Sequence, residues 1–122
     1  MSATIASPTT DFVRDGLFSA EALATVLRTS RAELADTLGL GDQALGRPER
    51  VAAPKVQTRL REFAEVLAQM APYNDGYLGA YAWFRSYKLA GCGHLTAAQL
   101  FREGKAKAVT RWVHRALDGG YA

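Results

Sequence analysis

The stretch PKVQTRLREFAEVLAQM, Pro54 to Met70, decides how the chain reads. A proline suits the first turn of a helix, where its missing N–H would have no partner anyway. Behind it Val56, Leu60, Phe63, Ala64, Leu67 and Met70 recur at three- and four-residue spacing. That spacing places them on one helical stripe, so the segment is expected to be the central core helix. Pro72 and the Asn74-Asp75-Gly76 turn are expected to end it.

Upstream, Ser19 is the expected N-cap of a helix carrying the stripe Leu23, Val26 and Leu27. Thr29 or Ser30 caps a second helix, with Glu33 at the capping-box position behind Ser30 and Leu34, Ala35 and Leu38 on its apolar face. Gly39 breaks it, a short helical segment from Asp42 to Gly46 is expected to follow, and Pro48 is expected to stop that segment. Residues 1–17 read as a flexible N-terminal arm.

Downstream, Leu78 to Tyr87 reads as an aromatic-rich helix and Gly91 to Leu95 as a loop. Thr96, with Gln99 three residues on, caps a short helix that Gly104 ends. The last helix, Lys105 to Leu117, has the apolar stripe Ala106, Val109, Trp112, Val113, Ala116 and Leu117. No repeat and no strand of clean period two is visible, so the expected class is all-α. Trp83 and Trp112 are read as core.

Length and composition bound the rest. A chain of 122 residues and 13.2 kDa, 48% hydrophobic and 22% charged, can bury a core. No apolar run approaches the roughly 20 residues of a membrane span. Met1 to Asp11 lacks the basic and apolar regions of a signal peptide, and a lone Cys92 permits no internal disulfide, so a cytoplasmic location is expected. The only other soft ligands are His94 and His114, which with Cys92 match no zinc spacing. No phosphate loop, dinucleotide fingerprint or serine elbow is present. The expectation is a binding protein with no catalytic residue, metal or cofactor.

Charge is divided. Residues 1–75 carry eight Lys/Arg and ten Asp/Glu, a net of −2. Residues 76–122 carry seven Lys/Arg and two Asp/Glu, a net of +5. Lys107, Arg111 and Arg115 follow one another at four-residue steps along the last helix. They are either a solvated face or a surface for an acidic partner.

Two constellations carry functional information. In RAELADTLGLGDQALGRPER, Arg31 to Arg50, the residues Ala35, Gly39 and Leu45 stand at helix-turn-helix offsets, which an ordinary helical hairpin also produces. If DNA is read, Gln43, Arg47 and Arg50 are the groove candidates. Residues 31–62 have a net charge of only +1, and Asp42 opposes phosphate, so duplex binding by one chain is expected to be weak.

The second constellation is AYAWFRS followed by HLTAAQLFREGKAKAVTRWVHRALDGGYA. Trp83, Gly93, Thr96 with Leu100, Gly104, Ala108-Val109 and the closing Gly119-Gly120-Tyr121 together resemble the toxin-binding domain of the Xre/MbcA/ParS antitoxins. The upstream segment resembles the same family's Xre-type half. The chain departs from the family at Lys88 to His94, which has no proline and has His94 in place of a second glycine. The resemblance implies a helix-turn-helix-like bundle over 18–72 and a small toxin-binding domain over 76–122. It implies an antitoxin of a type II toxin-antitoxin system that covers the active site of a RES-domain, NAD-consuming toxin with its C-terminal segment. The toxin contacts it implies are Arg111, Arg115, Gly119, Gly120, Tyr121 and Ala122. Tyrosine is a frequent interface anchor, and a carboxylate ending the chain after it would add an anion. The expected assembly is a homodimer or a higher complex with the toxin, with operator DNA as a second partner. A stand-alone helix-turn-helix regulator of transcription is the alternative.

Overall fold

The computed structural model describes residues 11–119 and is mostly helical with one two-stranded sheet. Strands β1 (Val13–Arg14) and β2 (Leu17–Phe18) pair antiparallel, Val13 opposite Phe18 and Arg14 opposite Leu17. Helices α1 (Ala20–Val26), α2 (Arg31–Thr37), α3 (Pro48–Val51) and α4 (Pro54–Met70) follow. A 3-10 turn over Ala71–Tyr73 leads to α5 (Tyr77–Ser86), α6 (Ala97–Arg102) and α7 (Ala106–Asp118).

Local chemistry sets the helix starts. Ser19 Oγ accepts from the Ala22 N–H at 3.0 Å and Ser30 Oγ from the Glu33 N–H at 3.0 Å. The box expected at Ser30 is half made, since the Glu33 carboxylate accepts instead from the Thr29 hydroxyl. At Thr96 both halves form: its Oγ1 accepts from the Gln99 N–H and its own N–H donates to Gln99 Oε1 at 2.8 Å.

Two expectations need correction. Residues 11–17 are not a loose arm. Asp15 and Gly16 both take positive φ, 54° and 81°, as the tight turn of a hairpin requires. Phe12 is fully buried, edge-on to Tyr77 at 5.0 Å. The Tyr77 hydroxyl donates to the Asp11 carboxylate; burial first, then that bond and charge, hold the phenol well above its usual range. Residues 1–10 lie outside the described residues.

The second correction concerns Asp42 to Gly46, which is turn rather than helix. Pro48, expected as a stop, is the first residue of α3. The same steric rule explains both readings. Proline keeps Arg47 extended, at φ −138° and ψ 145°, and an extended residue before a helix is an N-cap.

The core is one cluster that draws on every helix except α3. Phe63 of α4 lies at its centre, with ring centroids 4.9 Å from Phe84 and 5.9 Å from Tyr81. Phe84 in turn meets Phe101 of α6 at 5.0 Å. Edge-to-face aromatic pairs of this kind add about 1 kcal/mol each beyond the area they bury.

Two contacts bind α2 to α6. Gly39, at φ +74°, ends α2 and lies so close to α6 that a Cβ there would stand 2.6 Å from Arg102 Cα and 2.8 Å from the Phe101 carbonyl oxygen. Beside it Arg59 of α4 donates from Nη1 to the carbonyls of Leu38 (2.9 Å) and Phe101 (3.1 Å). Its guanidinium also covers the Phe101 ring.

Candidate binding surfaces

The last helix owes its position to one face. Ala106, Val109, Trp112 and Val113 are buried, and Ala116 and Leu117 are packed partly against the core. Trp112 joins Trp83 at 6.0 Å and Tyr87 at 6.1 Å, and its indole N–H donates to the Ala90 carbonyl at 3.1 Å. Both tryptophans are buried, as expected of core residues. Arg111, His114 and Arg115 are exposed on the opposite face. Lys107, also exposed, lies 3.9 Å from Glu62 of α4. Among the described residues Arg111 and Arg115 make no ion pair. Gly119 caps the helix at φ −86°, an angle open to any residue. Gly120, Tyr121 and Ala122 lie outside the described residues.

The loop Lys88 to His94 is closed by backbone bonds. Lys88 forms a bridge with Thr96, the Leu89 N–H donates to Leu95, and the Cys92 N–H donates to Leu89. Gly91, Gly93 and His94 all have positive φ, so the tight turn is made without proline. The exposed His94 imidazole lies on this turn, and Cys92 is half-buried.

Gln43, Arg47 and Arg50 are all exposed around the turn and α3. The structure brings two of them together, as Arg50 Nη1 donates to the Gln43 carbonyl at 3.4 Å. No residue of α3 is buried, so the segment rests mainly on Leu45.

A third surface was not visible in the chain order. Arg85, Lys88 and Arg102 surround a cleft of about 260 Å³ whose floor includes Thr37, Thr96 and Gln99. Arg85 is stacked over Tyr81, 4.4 Å from its ring centroid. Tyr81 OH and Thr37 Oγ1 lie 3.4 Å apart beneath it, and Thr37 Oγ1 also donates to the Glu33 carbonyl at 2.9 Å. A neighbouring groove of about 400 Å³ shares Thr37 and Arg85 but is lined by Glu33 and Asp36.

Among the described residues no cluster of His, Cys, Asp and Glu could hold a metal ion, and no helix is long and apolar enough to cross a membrane. Comparison with known proteins finds no matching family model, no similar curated protein and no similar solved structure.

Proposed function

We propose that the chain is an antitoxin that neutralises a RES-domain, NAD-consuming toxin by covering its active site with the C-terminal segment. The reading rests on the resemblance of residues 80–122 to the Xre/MbcA/ParS antitoxins. The observation that supports it is the construction of α7. One face of the helix is anchored by Val109, Trp112 and Val113, while the other offers Arg111 and Arg115, exposed and with no ion pair among the described residues. A rigid helix ordered before binding loses little entropy on docking, which favours affinity. Two guanidiniums one turn apart can each take a carboxylate at the rim of a cleft. Tyr121, three residues past Asp118 in sequence, is the proposed inserted anchor.

The test is co-expression with a RES-domain toxin. Deleting Gly119–Ala122 should abolish protection while thermal unfolding stays unchanged. Arg111→Ala with Arg115→Ala should weaken the complex. Full protection by the truncated chain would overturn the capping mechanism.

A second reading, repression of its own operon, draws on Arg47 and Arg50 being exposed next to Gln43. It requires salt-sensitive retardation of promoter DNA that is lost on Arg47→Ala with Arg50→Ala. Because Asp42 to Gly46 is turn, DNA contact would come from the turn and α3 rather than from a recognition helix.

A further inference from the structure

We infer that the cleft between α2, α5 and α6 is a binding site for a small phosphomonoester, independent of the toxin-capping surface. The argument begins with charge. Arg85, Lys88 and Arg102 come from the end of α5, the following loop and the end of α6, yet they line one cavity. Cations gathered this way raise the local potential and attract an anion. The cleft wall itself supplies no carboxylate. The nearest acid is Asp36, 4.0 Å from Arg102, with side chains 80% and 45% exposed. A contact so long and so wet is worth little, so the three cations keep most of their positive charge at the cavity.

A phosphoryl dianion matches that charge better than a single carboxylate does. It also matches the donors. Two planar guanidiniums can each present paired N–H groups to phosphoryl oxygens, with the Lys88 ammonium as a point charge. Arg85 is held before any ligand arrives by the Tyr81 ring, and the backbone that carries Lys88 is fixed by its bridge to Thr96. Such preorganisation reduces the cost of binding.

The adjoining groove tells which phosphate. It meets the cleft at Thr37 and Arg85 and offers the acceptors Glu33 and Asp36. A free phosphate ion would have no use for these carboxylates. An ester whose organic part carries hydroxyl or amino donors would place its phosphoryl group among the cations and its donors against the acids.

The test is a backbone NMR titration of the full chain, in ~150 mM salt to screen loose attraction, with inorganic phosphate, adenosine monophosphate, adenosine and glutamate. Adenosine monophosphate should give saturable shifts at Thr37, Lys88, Thr96 and Gln99 and bind about tenfold more tightly than phosphate. Adenosine and glutamate should give none. Lys88→Gln and Arg102→Gln should each weaken binding about tenfold, the value of one charge-assisted hydrogen bond, and Lys55→Gln, on the exposed start of α4, should not. Among the described residues the exposed Lys88 side chain makes no hydrogen bond or ion pair, so Lys88→Gln stays informative if the arginine variant unfolds. Absence of saturable shifts to ~10 mM ligand, or equal affinity of the wild type and Lys88→Gln, overturns the site. Equal affinity for phosphate and the ester overturns the role of the acidic groove.

Discussion

Residues 38–53 and residues 83–118 both carry side chains proposed to meet a partner, yet they are held in opposite ways. In the second region a Trp83–Tyr87–Trp112 group and the buried stripe of α7 fix the exposed arginines from beneath. In the first, Leu38 and Leu45 are the only fully buried side chains, and α3 buries none. Geometry at an interface is inherited from the packing under it. The helix carrying Arg111 and Arg115 therefore has a defined position, whereas Gln43, Arg47 and Arg50 sit on a turn and a short helix with little packing beneath them.

The largest effect is expected from Trp112→Ala, which removes the keystone of the better-packed region. Equilibrium unfolding in urea should show a loss of about 3–5 kcal/mol, and a loss below 1 kcal/mol would mean the contrast is false. Next is Gly39→Ala, at the seam where the two regions touch. A methyl group there meets the α6 backbone and must also take a left-handed φ, so a loss of at least ~2 kcal/mol is expected. Thr96→Ala should cost about 1 kcal/mol through the broken capping box. Arg47→Ala, in the loosely held region, should change stability by no more than about 0.5 kcal/mol. Its measurement sharpens the comparison, because a larger change would show that the turn contributes to the fold.

What could be read from the chain alone was what is local. The helix Pro54–Met70 has both a proline start and a continuous apolar stripe, and the Thr96–Gln99 box needs only four residues. The hairpin leaves little trace in the sequence because each strand has two residues, too few for alternation, and Asp15-Gly16 is its one turn signal. Pro48 is ambiguous in sequence, since a restricted residue before proline can end a helix or, as here, begin one. The cationic cleft was hidden for another reason. Arg85, Lys88 and Arg102 lie in one cavity with Thr37 only after three elements pack, and nothing in their order along the chain announces it. Of the toxin-facing candidates, Arg111, Arg115 and Gly119 fall within the described residues, with both arginines exposed.

Arg59 has a practical corollary for anyone wishing to graft the C-terminal segment onto another scaffold. Its guanidinium is shared between the carbonyls of Leu38 and Phe101, and Phe63 on the same helix fills the space against Phe84. Cutting between Met70 and Gly76 would strand that guanidinium with half its acceptors and bare two phenyl rings to water on the other piece. Neither piece would travel as a portable module. A transplant that keeps its shape has to bring α4 with it.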